Sequence, residues 1–325
     1  MMKVFVTGAS GFIGRKLVNR LLENGYRITA LVRRKDHNLP AKVNIIEGDI
    51  LDINSYSSSK TKYDHLFHLA AYISFDPREK DKIMHINADA TINLLHVAKE
   101  WGVTNTVFVS SATTIGFSSS KENLIDETSP YNEKLIEHNP YMASKVFAEK
   151  AAIKLSKEQN IVIVNPSTVY GPGDLSFNSG TLIKKTFGSK IVPVPSGITN
   201  VVDVDDVVDG IIAASLKGRS GERYILGGQN LSFKQVFSEV ADIVNNHPIM
   251  IPMMPIMSCP LSIAVGLIGK FSNSRIITPQ IVKDLFSYRN LSSKKAEKEL
   301  AWLPKYSFKQ SIERAWKFYM ENNLI

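Results

Sequence analysis

Tyr141-x-x-x-Lys145 places a phenol and an ammonium one turn apart on the same face of a helix. The local sequence predicts that helix: Asn139 is a good N-cap, and Pro140 fits the first helical position. A cation held beside a phenol favours the phenolate, so the tyrosine pKa is expected to fall from about 10 toward neutrality. A tyrosine tuned in this way can give or take a proton near pH 7. The same pair also arises by chance on helix surfaces. Its setting gives it weight here, after a strand that ends in Ser110-Ser111-Ala112 and in a chain that opens with a glycine loop.

That loop is Gly8-Ala-Ser10-Gly11-Phe12-Ile13-Gly14. A short β-branched and aromatic run, Val4-Phe-Val-Thr7, precedes it and reads as a buried strand. From Arg15 onward the apolar residues recur at helical spacing. Strand, glycine loop and helix make the phosphate-cradling unit of a dinucleotide fold, here as G-x-x-G-x-x-G, one residue longer than G-x-G-x-x-G. Gly8 permits a sharp turn, Gly11 lets a pyrophosphate approach the backbone, and Gly14 lets the helix pack closely. The helix N-terminus adds free N–H groups and partial positive charge.

The elements that must position these groups follow in order. Arg27–Val32 reads as the second strand and runs into Arg33-Arg34. Arginine at this strand end fits a 2′-phosphate, an acidic residue a 2′-hydroxyl, and Asp36 comes three residues late for the acidic role. NADP is therefore favoured and NAD kept as the second possibility; a merely charged strand end is the bland account. Val43–Ile50 is a third strand, with Asp49 placed to accept from an adenine amino group and Ile50 to cover the ring. His65–Ala71 is the fourth, and Ala70 and Ala71 would let a cofactor lie against the backbone. His65 and His68 alternate with core residues and read as structural.

Asp81–Trp101 is predicted as one helix, with Asn87 a mid-helix polar residue that needs a specific partner if it faces the sheet. Residues 106–112 form the fifth strand, 116–139 a polar excursion over the site, 160–166 the sixth strand, and Ser167–Asp174 a rigid loop. The aspartates from Asp203 on can cap a helix. Ser232-x-x-Gln235 and Ser307-x-x-Gln310 are capping boxes, and Thr278-Pro279 is a further helix start. Pro248–Gly269 holds no charged residue, and its prolines argue against one long helix. It reads as an apolar wall or lid over a substrate pocket, with membrane-surface contact the lesser reading. Its methionines suit an adaptable pocket.

With 325 residues the chain can bury a large core in one or two coupled domains. Its single cysteine, Cys259, excludes an internal disulfide framework and a cysteine-based zinc site, and no other metal site is expected. With no leader segment expected, the compartment reads as reducing and cytoplasmic. The net charge of +8 is not gathered into a Lys/Arg stripe, so no nucleic-acid partner is expected. A solvated basic surface that attracts phosphorylated ligands accounts for it.

Together the glycine loop, Asp49, Ala70-Ala71, Asn87, Ser110-Ser111, Tyr141/Lys145 and Asn165-Pro-Ser-Thr-Val-Tyr-Gly-Pro-Gly173 resemble the extended short-chain dehydrogenase/reductases, over most of the chain. The last of these, with Gly221–Gly228, is similar to the dihydroflavonol-reductase-like branch, some bacterial members of which carry sugar-epimerase names. The resemblance implies an α/β fold: a doubly wound parallel Rossmann sheet with helices on both faces and a smaller mixed C-terminal part. Residues 1–165, with about 200–228, would bind the dinucleotide, and 166–325 would mainly bind substrate. It implies Tyr141 as acid/base and Lys145 as the residue that lowers its pKa and binds the nicotinamide ribose. Ser111 would hold the reacting oxygen, Asn87 the helix and a relay water, and Arg33 would select NADP. Ser10, Phe12, Ile13, Leu69, Pro166, Thr168 and Val169 would complete the cofactor site. A homodimer through a helix pair is also implied.

The leading expectation is an NADP-dependent oxidoreductase acting on a small-molecule carbonyl or alcohol, bulky or apolar in character. An NAD-dependent nucleotide-sugar epimerase or dehydratase is the second, with Lys184, Lys185 and Arg275 available for a diphosphate. A non-catalytic dinucleotide-binding protein is the third, disfavoured by the presence of all of Ser111, Tyr141 and Lys145.

Overall fold

The β-branched and aromatic runs of the chain fold as strands, and those in the middle of the large sheet are buried on both faces. In a computed structural model, which describes residues 1–34, 38–59, 61–271 and 278–325 and of 269–271 only the backbone, the strands are β1 (Lys3–Thr7), β2 (Arg27–Val32), β3 (Asn44–Glu47), β4 (His65–His68), β5 (Asn105–Val109) and β6 (Ile161–Pro166). There follow β7 (Thr168–Tyr170), β8 (Ile191–Pro195), β9 (Ile198–Asp203), β10 (Arg223–Leu226), β11 (Gln229–Ser232) and β12 (Ile249–Met253). Asp36 and Arg275 lie outside the described residues.

Seven strands form one parallel sheet in the order β3-β2-β1-β4-β5-β6-β10. This is the doubly wound Rossmann arrangement, and its order reverses between β1 and β4, where such sheets open a ligand crevice. Successive side chains of each strand serve opposite faces. Val4 and Val6 join the Phe12–Glu23 and Val204–Lys217 helices in one fully buried cluster. Phe5 and Leu66 join the Ala90–Glu100 helix in another, and Phe108 joins the Pro140–Leu155 helix in a third. Each such side chain contributes roughly 1.5–3 kcal/mol through burial.

The later strands form two small sheets. β9 pairs antiparallel with β11 and parallel with β7, and β8 pairs parallel with β12. The loop expected at 167–174 therefore contains a strand, because Thr168–Tyr170 finds the open edge of β9. The third strand stops at Glu47, short of Asp49. The 116–139 excursion is pinned to the C-terminal part by the bridges Ser118↔Tyr288 and Ile125↔Leu291, and it holds a short helix at Glu133–His138.

The expected Asp81–Trp101 helix is continuous but not uniform. A π-helical segment, His85–Asp89, separates Lys80–Met84 from Ala90–Glu100. Asn87 lies within it, and such bulges redirect side chains at functional sites. Asn139 caps the Pro140 helix through Met142 N, Asp203 caps the Val204 helix, and both capping boxes form. Thr278 caps Pro279–Asp284.

Candidate active site

The first βα turn is held so tightly that only glycine fits. Gly8 has φ +70°, and a Cβ there would lie 2.6 Å from Ala70 N and 2.7 Å from the Leu69 carbonyl carbon. A Cβ on Gly14 would overlap the Gly8 carbonyl oxygen, so this glycine serves the turn itself as well as the helix packing expected of it. No side chain caps the Phe12 helix, whose N-terminus has Gly11 as its cap residue. The first-turn N–H groups of such an end are available to an anion.

Beyond this turn a cleft of about 560 Å³ is lined by Ser10, Arg15, Val32, Arg33, Arg34, Asn38 and Leu175. Among the described residues, three guanidinium groups and no carboxylate border it. Arginine forks suit phosphate oxygens. The narrow glycine cradle fits the pyrophosphate of a dinucleotide, and the cationic cleft lies beyond it. Arg15 was not singled out from sequence. The signal was there, as a basic residue directly after the last loop glycine.

The groups expected to handle the proton meet at the end of β5. Tyr141 is 7% exposed, and Ser111 beside it opposes part of the effect of burial on its phenol. Ser111 caps the Ala112–Ile115 turn, accepting from Thr113 N at 3.2 Å. Lys145 is buried below, and its Nζ donates to the Val109 carbonyl at 3.0 Å. The expected fall of the phenol toward neutrality is not seen. Burial pushes Tyr141 up to about 12 against the lowering effect of Ser111. The lysine is itself pulled down to about 8 by burial, opposed by the charge of Glu149.

Asn87 has the specific partners its position demanded. Its Oδ1 accepts from Tyr72 N at 2.7 Å, and its Nδ2 donates to Tyr72 O at 2.9 Å and Ser144 Oγ at 3.0 Å. Ser144 in turn donates to the Tyr141 carbonyl at 2.8 Å. Asn87 thus joins the loop after β4 to the tyrosine's first turn. Phe75, on that loop, packs edge-on against Tyr141 with centroids 5.6 Å apart.

Sequence reasoning also missed a buried network behind Ser111. Glu149 is fully buried on the Pro140 helix. It accepts from Asn165 Nδ2 at 2.6 Å, Thr114 Oγ1 at 2.9 Å and the Tyr131 hydroxyl at 3.0 Å, and it faces Arg223 at 3.4 Å. Only its position four residues after Lys145 pointed to it.

Asp49 lies just past β3 and accepts from Leu51 N at 3.0 Å. Ile50 is packed in the cluster of Phe5, Leu31 and Tyr56 rather than standing free to cover a ring. Ala70 N donates to Thr7 Oγ1 at 3.3 Å, closing β1 on β4. Pro166 ends β6, and Thr168 and Val169 lie on β7 against β9. Gly173, with φ +108°, approaches Phe12 and Lys16, which brings this segment to the start of the first helix. His68 is structural as read: Thr7 and Thr91 hold its two ring nitrogens at 2.7 and 2.8 Å.

Among known proteins, the model of the NAD dependent epimerase/dehydratase family matches residues 4–227. A candidate dihydroflavonol 4-reductase of Synechocystis sp. is 30% identical over 99% of this chain and 95% of its own length. Cinnamoyl-CoA reductase 1 of Oryza sativa is 26% identical over 75% of this chain and 77% of that protein. The fold of UDP-glucose 4-epimerase from Thermotoga maritima, solved with UDP-glucose, superposes with a TM-score of 0.80 over 99% of this chain and 100% of that one, at 22% identity.

Proposed function

Because the chain belongs to the NAD dependent epimerase/dehydratase family, enzymes of the extended short-chain dehydrogenase/reductase type, we propose that it is an NADP-dependent oxidoreductase acting at a carbonyl or alcohol carbon of a bulky, apolar substrate. The observation that supports this most is the Tyr141 phenol, buried beside Ser111 at the crevice end of the sheet, with Lys145 buried one turn on. The reductase names of the two relatives point the same way.

In this reading Gly8, Ser10, Gly11, Phe12, Ile13 and Gly14 hold the pyrophosphate, and Arg15, Arg33 and Arg34 take the 2′-phosphate. Asp49 accepts from the adenine, and Leu69, Ala70, Ala71, Pro166, Thr168 and Val169 flank the cofactor. Residues 166–325 mainly hold the substrate. The nicotinamide, when bound, supplies or accepts hydride. Ser111 orients the reacting oxygen, and Tyr141 gives or takes its proton. Lys145 binds the ribose and stabilises negative charge on the phenol oxygen. Asn87, through Ser144, fixes the tyrosine's turn.

Titration of the purified chain with NADPH and NADH, followed by nicotinamide fluorescence, tests the reading. NADPH binding at least about tenfold tighter, with exchangeable cofactor, supports it, since a phosphate–arginine pair contributes at least about 1.4 kcal/mol. Tightly retained NAD, or a preference for NADH, would move the assignment to nucleotide-sugar epimerisation. Binding of neither would leave a non-catalytic protein.

A further inference from the structure

Two stretches of the chain carry no carboxylate side chain: the residues between Asp174 and Asp203, and those between Asp242 and Asp284. Their charged side chains are Lys184, Lys185 and Lys190 in the first and Lys270, Arg275 and Lys283 in the second, all cationic. The fold brings the two stretches together. β8 pairs with β12 in the register Ile191↔Ile249 and Pro193↔Ile251. Asn246 Nδ2 donates to Thr186 O, Phe187 O and Ser189 O at 2.7, 2.9 and 3.0 Å.

Val192 and Val194 of this region are buried, but many of its other apolar residues are exposed. Ile249 is 68% exposed and Ile251 49%, so the β8–β12 ribbon shows its cross-strand apolar pairs to solvent. Ile256 is 81% exposed in the turn that follows. In the helix Ser258–Phe271 the pattern is inverted: Ser262 is buried while Ile263 and Leu267 are more than half exposed. Gly266 meets Pro279 of the next helix. Ser262 and Gly266 lie on the packed side of the helix with Leu261 and Val265 half-buried, and its free side is apolar. An apolar free face of this extent marks a contact surface.

We propose that this face docks on a bilayer surface bearing anionic headgroups. The apolar side chains of β12, its following turn and the Ser258 helix would enter the interface, and Lys184, Lys185, Lys190 and Lys283 would meet the headgroups. The absence of carboxylates argues for this occupant. A second copy of the chain, pairing this face with itself, would set like charges against each other. Among the described residues no helix is long and apolar enough to cross a membrane, so the contact is interfacial.

The test is sedimentation of the full chain with sucrose-loaded vesicles of phosphatidylcholine, with and without phosphatidylglycerol. At low salt, binding to the mixed vesicles is expected to be roughly tenfold greater and to weaken as salt rises. The double variant Ile256→Asp/Ile263→Asp, altered only at exposed positions, should lose this binding and keep its melting temperature and NADPH affinity. Lys185→Glu/Lys190→Glu should lose the preference for the anionic vesicles. Failure to sediment with either vesicle, or equal binding by the Ile-to-Asp variant, would overturn the proposal. So would a dimer in solution that Ile256→Asp converts to monomer, which would give the face to a second copy. These readouts stand apart from cofactor preference, so the oxidoreductase reading can fail without this one.

Discussion

Asn165 donates to the Glu149 carboxylate across 2.6 Å, and the same amide nitrogen lies 3.1 Å from the Ser111 carbonyl. A fully buried charge on the Pro140 helix is thereby tied to the serine at the end of β5. Arg223 and Tyr131 reach the same carboxylate from β10 and from the 116–139 excursion. Taking the charge away would leave the buried Arg223 with the carbonyls of Glu127 and Ser129 but without this carboxylate. Glu149→Gln is expected to cost about 3 kcal/mol, read as a fall in melting temperature. It should lower kcat more than it raises KM, because Ser111 loses its support. Glu149→Asp should recover part of both losses. Unchanged stability in the Gln variant would remove Glu149 from this role.

Lys145 sets stability against function. Burial draws its pKa from 10.5 down to about 8. Between those values the unfolded chain holds a proton that the folded chain has released, so stability from this group rises with pH across that window. Below it the fold carries the cost of a buried cation, on the order of 3 kcal/mol. Lys145→Met should therefore melt higher than the wild type near neutral pH, with the gap closing toward pH 10, while turnover is lost. Tyr141 acts in the opposite direction. Its phenol is held protonated up to about 12 against an ordinary 10, so its share of stability falls as pH rises through that range. Melting curves of both proteins at neutral and alkaline pH check the sign.

The Tyr141 assignment is tested by removing one oxygen. Tyr141→Phe keeps the ring that packs against Phe75 and should leave NADPH affinity nearly intact. Turnover should fall by roughly two to four orders of magnitude. Undiminished turnover would take Tyr141 out of the mechanism.

The parts legible in sequence were those fixed by local chemistry. The Gly8–Gly14 turn, the Asn139-Pro140 start and both Ser-x-x-Gln boxes depend on neighbours within a few residues, and the structure holds each of them. The doubly wound sheet was implied by the family resemblance, and strands and helices alternating along the chain agree with it. What stayed hidden depends on distant partners. Thr168–Tyr170 became a strand because β9 offers it an edge. Asn87 faces inward because a π-helical segment turns it toward Tyr72 and Ser144. Burial, which no spacing reveals, decided the Tyr141 and Lys145 pKa directions. Glu149 drew no reading from sequence, because its partners Asn165, Thr114 and Arg223 come from elsewhere in the chain.

Arg15 separates the two dinucleotides if its cleft receives the 2′-phosphate. It borders that cleft with Arg33 and Arg34, from a different element than they do. Its loss removes one fork and leaves the glycine cradle untouched. Arg15→Ala is expected to weaken NADPH about tenfold, equivalent to about 1.4 kcal/mol, with NADH affinity unchanged. Arg33→Ala should do the same, and the pair together should erase the preference. The discriminating quantity is the ratio of the two affinities, measured by nicotinamide fluorescence in one buffer, since salt screens exposed cation–phosphate contacts. An equal loss of NADPH and NADH affinity would mean that Arg15 holds the pyrophosphate. It would also leave the selection, among the described residues, to Arg33 and Arg34.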